Sequence, residues 1–174
     1  MEEGTVVRPA TAADAVRLSE FAGRVFDEVF GPVNDARDMA AYLAEAFSPD
    51  IQLTEIAAPG GIVLLAERNG TLAGYLHIAP APTPDCVTGP SPLELKRLYV
   101  DPPHHGRGVG KRLLDEGLTR AREAGAGTIW LGVWEHNTKA QAFYAREGFT
   151  RAGEHAFVLG SDRQTDWIMQ RALT

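Results

Sequence analysis

The chain has 174 residues, 44% of them hydrophobic and 23% charged, with a formal net charge of −6. That size fits one domain, 1–174, able to bury about 70% of the surface its unfolded chain exposes, and that composition excludes a disordered chain. Acidic charge disfavours nucleic acid and suits a cationic ligand; no apolar run approaches the roughly 18 residues of a membrane span, and a single cysteine, Cys86, excludes an internal disulfide or a cysteine-rich zinc site.

The start, MEEGTVV, lacks the basic and apolar regions of a secretory leader, so a reducing cytoplasm is the expected location. TVVRP at 5–9 reads as a short strand ended by proline. Thr11 with Asp14 then reads as a capping-box-like start for a helix through about Phe30, with Leu18, Phe21, Val25 and Val29 at helical spacing. A second amphipathic helix is predicted from about Ala36 to Phe47, stopped by Ser48-Pro49. The strands GIVLLAER and TLAGYLHI follow, joined by Asn69-Gly70, the strongest short hairpin signal because a type I′ turn needs positive φ at both positions. APAPTPDCVTGPSP is a proline-rich loop. It holds Cys86, an incidental thiol for which no partner base can be named.

LELKRLYV reads as a strand, DPPHHGRGVG as a loop, and Lys111 to Ala124 as a helix striped by Leu114, Leu118 and Ala121. The nearly all-apolar TIWLGVW is the pattern of a strand in a covered sheet. A short helix, TKAQAFYAREG, follows, with Asn137 placed to cap it and Gly148 to end it. Strands around GEHAFVLG and TDWIMQRAL close the chain. The order predicts a mixed α/β domain three layers deep.

The glycines of HHGRGVGK need an explanation. A dinucleotide fingerprint starting at Gly106 requires glycine where Lys111 stands, and a P-loop ending at Lys111 requires glycine at His105 and a hydroxyl residue at Arg112; both fail. What remains is a glycine loop between a strand and a helix start, where amides lack carbonyl partners, the helix dipole adds positive potential, and no Cβ keeps an anion away. Arg107, Lys111 and Arg112 add charge. His104 and His105 are adjacent and lack companion ligands, so no metal is expected.

LYVDPPHHGRGVGKRLL, with NTKAQAFYAREGF at 137–149, resembles the GNAT-type (Gcn-related) N-acetyltransferases, whose coenzyme pattern is Q/R-x-x-G-x-G/A; His105 departs from it. The resemblance implies a three-layer α/β/α fold, a mixed but mostly antiparallel sheet of about seven strands and about four helices. It further implies acetyl-CoA as cosubstrate, its diphosphate held by amides from His105, Gly106, Arg107, Gly108, Val109, Gly110 and Lys111. Leu98, Tyr99 and Val100 would border the thioester and pantetheine, the Leu98 amide stabilising the oxyanion and Val100 pairing like a neighbouring strand. Asn137 and Ala140 would meet the pantetheine arm, Tyr144 would protonate the departing thiolate, and Glu94 is the candidate general base. His77, His136 or a bound water stand next in line.

FGPVN, DMAAYL, ELKRLYV, IWLGVWEHN, AFYAREGF and GEHAFVLGSDRQTDWIM together are similar to the bacterial spermidine/spermine acetyltransferase branch. That implies a small cationic amine as partner, with Asp27, Glu28, Glu135, Asp162 and Asp166 as candidate groove carboxylates. Another amine acceptor (an antibiotic, an amino acid, a protein N-terminus) and a non-catalytic coenzyme-binding regulatory module are the alternatives. A homodimer is compatible with this pattern, which does not specify an oligomeric state.

Overall fold

The computed structural model describes residues 4–174; the acidic Met1–Glu3, which enter the reading of the N-terminus, lie outside the described residues. Strands β1 (Thr5–Pro9), β2 (Ile62–Arg68), β3 (Thr71–Ala79), β4 (Pro92–Val100), β5 (Thr128–Trp134), β6 (Thr150–Leu159) and β7 (Asp162–Ala172) form a single sheet. Their spatial order is β1-β2-β3-β4-β5-β7-β6. The helices are α1 (Ala15–Phe30), α2 (Ala36–Ala46), α3 (Pro49–Ala57), α4 (Val109–Glu123) and α5 (Thr138–Arg146).

Strand alternation sends neighbouring side chains to opposite faces, and each face has its own core. On one, Leu18, Phe21, Val25 and Phe26 of α1 pack with Met39, Leu65 and Tyr75. On the other, Leu113, Leu114 and Leu118 of α4 pack with Leu76, Ile78 and Leu131. Three layers result, as the pattern predicts. The β2–β3 turn has φ of +50° at Asn69 and +77° at Gly70, the left-handed pair a type I′ hairpin requires.

Two boundaries differ from expectation. Ser48-Pro49 ends α2 but also starts α3, because the Ser48 hydroxyl accepts from Ile51 N and proline suits the first helical position. The helix count is therefore five. The segment carries no apolar stripe to announce it, since only Gln52 is buried, its amide donating to the Ala46 carbonyl at 3.2 Å. The terminal strands also run longer than GEHAFVLG and TDWIMQRAL suggest, because backbone pairing continues past the apolar positions to Thr150↔Gln170 and Leu159↔Asp162.

All adjacent strands are antiparallel except β4 and β5. That parallel ladder has three rungs, Pro92↔Thr128, Leu93↔Ile129 and Glu94↔Trp130, and then stops while both strands continue. The cause lies on β4. Arg97 pairs with His77 and Leu95 with Ile78, which leaves Lys96 as an extra residue. A bulge of this kind bends and twists its strand. Beyond it β4 leaves β5, and the sheet has a gap at its centre.

Candidate active site

The gap is a cavity of about 710 Å³ with a lining drawn from both faces of the sheet. From the α4–α5 side come the glycine loop and Asn137, Ala140, Phe143 and Tyr144; from the α1–α2 side come Phe26, Phe30, Tyr42, Phe157, Gln164 and Asp166. The hole therefore runs through the sheet.

At one end the chain turns through Gly106 (φ +72°) and Gly108 (φ +79°) into α4. Such angles cost an L side chain roughly 1–2 kcal/mol, and a Cβ on Gly106 would point into open space rather than pack. No side chain caps α4, so its first-turn amides stay available at the positive end of the helix dipole. Lys111, Lys139 and Arg146 line the same end. At Gly110 a Cβ would meet Val100 Cγ2 at 3.5 Å and Phe143 Cζ at 3.8 Å, ordinary van der Waals contacts, so packing alone does not require glycine there. His105 turns its ring onto β4, where Nε2–H donates to the Val100 carbonyl at 2.7 Å, leaving Nδ1 facing Lys139 Nζ at 3.4 Å.

Along the gap, β4 presents an unpaired edge. Asp101 N donates to Ala73 O on the β3 side, so alternation aims the backbone groups of Leu98 and Val100 the other way, into the cavity. Tyr99 points its ring into the aromatic layer, 5.5 Å from Tyr75 and 6.1 Å from Phe26. Asn137 caps α5 by accepting from Ala140 N at 3.2 Å and also borders the cavity. Two helical turns on, Tyr144 packs edgewise on Phe143 and Phe149, and burial holds its hydroxyl well above the usual phenol range. It stays protonated at any working pH.

At the far end Phe26, Phe30, Tyr42, Trp134 and Phe157 make aromatic walls. Arg97 reaches this side too, but it is neutralised: its guanidinium lies over the Phe47 ring and donates to Glu55 at 2.6 Å. Burial works against charge on Glu55, yet hydrogen bonds with His77 and Arg97 hold it below the ordinary carboxylate range. Among the described residues Asp166 is the one carboxylate in the cavity lining. Burial pushes it up to about 6; His155 opposes that shift and Glu135 adds to it.

Of the residues singled out in the sequence, Leu98 to Val100, His105, Gly106, Gly108 to Lys111, Asn137, Ala140 and Tyr144 all border the cavity. Arg107 does not, and neither does Glu94, which sits on the last rung of the β4–β5 ladder with Lys96 Nζ 3.7 Å away. Burial raises Glu94, while Lys96 and His155 work in the opposite direction. Asp27, Glu28, Glu135 and Asp162 lie outside the lining. Sequence reasoning missed Lys139 and Arg146, whose seven-residue spacing on α5 was the available signal, and the walls Phe30, Tyr42 and Trp134, which entered only as parts of the helix and strand patterns.

The chain matches the Acetyltransferase (GNAT) family over residues 29–149. It is 36% identical over 170 residues to an N-acetyltransferase of the pepI 3′ region of Lactobacillus delbrueckii subsp. lactis, covering 98% of each chain. It is 32% identical over 166 residues to the N-alpha-acetyltransferase RimI of Mycobacterium tuberculosis, covering 94% of this chain and 91% of that one. Among solved structures, the PaiA N-acetyltransferase of Thermoplasma acidophilum in complex with coenzyme A superposes with a TM-score of 0.79 at 22% identity, over 97% and 98% of the two chains. No helix among the described residues is long and apolar enough to cross a membrane. A sheet opened between its two parallel strands, a glycine turn into α4 and this breadth of likeness lead to one assignment: the chain belongs to the GNAT family of N-acetyltransferases.

Proposed function

We propose that this enzyme transfers the acetyl group of acetyl-CoA to a primary amine of a small cationic acceptor, with spermidine and spermine the first candidates. The observation that carries the reading is the passage through the sheet, with amides and cations at one end and a carboxylate among aromatic walls at the other. Acetyl-CoA, when bound, supplies an acetyl carbon activated by its thioester. The free amides of α4, with Lys111, Lys139 and Arg146, suit its phosphates. The Leu98 N–H, aimed into the gap, polarises the acetyl carbonyl. Val100 offers main-chain groups to the pantetheine arm once His105 releases its carbonyl, and Asn137 faces the same arm. Tyr144 gives a proton to the departing sulfur.

The acceptor face supports a multivalent cation. Asp162, Gln164 and Asp166 alternate along β7 and so share a face, which spaces the two carboxylates about 13 Å apart along the strand. Gln164 lies between them, its amide nitrogen donating to Asp162 at 2.9 Å and to Asn34 at 2.7 Å, which leaves its oxygen free to accept. An ammonium presented as free base at pH 7 costs roughly 4 kcal/mol, so a nearby carboxylate is needed for the chemistry as well as for binding.

Thiol release from acetyl-CoA tests this with spermidine, spermine, lysine derivatives, aminoglycosides and peptides as acceptors. The polyamines should show the highest kcat/KM. A peptide with a free N-terminus outperforming them would move the acceptor class towards that of RimI, and coenzyme binding without turnover of any amine would favour the regulatory module.

A further inference from the structure

On the α1–α2 face two titratable side chains from two strands converge on one missing side chain. Gly132 lies between Trp130 and Trp134 along the same row of β5, and a Cβ there would stand 3.1 Å from His155 Nε2 and 3.2 Å from Asp166 Oδ2. Asp166 is opposite Trp134 on β7, and His155 is opposite Asp166 on β6. Asp166 leans in from the adjacent strand, and His155 reaches over β7, into the space that Gly132 leaves. Glu94, on the last rung of the β4–β5 ladder, feels His155 as a neighbouring charge but lies outside the cavity lining.

The three are not equivalent. Asp166 lines the cavity with its side chain 13% exposed, whereas His155 is 40% exposed, with Nε2 3.9 Å from Asp166 Oδ2. One carboxylate faces the cavity, with a more exposed imidazole beside it. At this distance the two are within ion-pair range but not hydrogen-bonded, and catalytic contacts of this kind commonly tighten when substrate binds. Glu94 has no such access to the cavity.

We infer that Asp166 is the general base of this enzyme, taking the proton of the acceptor ammonium, and that His155 is a positioning residue that passes the proton on to solvent. The inference rests on the amine-acetylation reading above. The ammonium gives one proton to the Asp166 carboxylate. The neutral nitrogen then forms its bond to the acetyl carbon as the carbon–sulfur bond breaks, and a second nitrogen proton ends on the coenzyme thiol by way of Tyr144. Asp166 returns its proton through His155 to water, so one proton is released per acetyl group transferred.

The surroundings agree. The groups facing Asp166 are His155 from β6, Glu135 at the end of β5 and Tyr42 from α2. A midpoint near 6 leaves the carboxylate ionised at neutral pH yet more basic than an ordinary aspartate. The same dry walls destabilise the ammonium in favour of the free amine.

The test compares Asp166→Asn, Glu94→Gln and His155→Asn in the full-length chain, using acetyl-CoA with whichever amine of the panel wild type turns over fastest. Asp166→Asn should lower kcat/KM by about 10²- to 10⁴-fold at neutral pH, with the coenzyme Kd unchanged. The loss should shrink as pH rises towards the amine's own pKa, where solvent supplies the free base. Glu94→Gln should cost only a few-fold. His155→Asn should slow turnover and be rescued by added imidazole, which a merely structural defect would not be. A pH-independent loss in Asp166→Asn, or near-wild-type activity there beside a hundredfold loss in Glu94→Gln, overturns the inference while leaving amine acetylation intact. Wild type that binds acetyl-CoA and turns over no amine overturns both.

Discussion

The two ends of the cavity are built by opposite means. The end proposed for the coenzyme is framed by backbone, with cations around it: a loop from His105 to Gly108, the first turn of α4 and the bare edge of β4. The acceptor end is made of side chains brought together from α1, α2, β5, β6 and β7. Main-chain donors do not depend on side-chain identity, and they leave little freedom to vary. Side chains from distant segments can be exchanged one at a time, so on the proposed reading the acceptor end is where substrate choice is set.

Tyr144→Phe probes the seam between the two ends and carries the largest expected effect of the changes that sharpen this contrast. It should lower kcat by about 10²-fold with little change in coenzyme Kd, measured by thiol release and calorimetry; equal losses in both would make it a packing residue. Gly108→Val attacks the backbone end alone. A β-branched side chain at φ +79° is strained and stands where the phosphates approach, so coenzyme affinity should fall about 30-fold while the acceptor KM at saturating coenzyme stays put.

Asp166→Asn tests the side-chain end through stability, independently of rate. An aspartate in the unfolded chain titrates near 3.9 and Asp166 in the fold near 6, so the native state holds the extra proton between those values. Stability therefore falls as pH rises through that window, by roughly 2–3 kcal/mol. The asparagine variant should melt above wild type at pH 8 and lose that advantage near pH 4. No such gain would mean that Asp166 is well solvated, and the difference between the two ends would narrow.

The same contrast explains what could be read in advance. Residues 98–111 and 137–144 are short contiguous stretches whose spacing expresses a local geometry, and most of the residues singled out in them line one cavity. All seven strands were legible as well, since alternation and the Asn69-Gly70 turn are local signals. Gly132 was not. Inside TIWLGVW it reads as one more small residue of a covered strand, and only the pairing of Trp134 with Asp166 and of Asp166 with His155 shows what its vacancy admits. Glu94 was singled out through the family resemblance, which carries no information about the ladder on whose last rung the structure sets it, outside the cavity lining. The helix α3 escaped because Ser-Pro punctuation marks an ending and a beginning alike.

The perforation between β4 and β5 also bears on the order of events. With its two ends used as proposed, donor and acceptor enter by separate doorways on opposite sides of the sheet, and neither has to depart before the other enters. Such a passage lets both be aboard together, so the proposed transfer requires no acetylated protein between them.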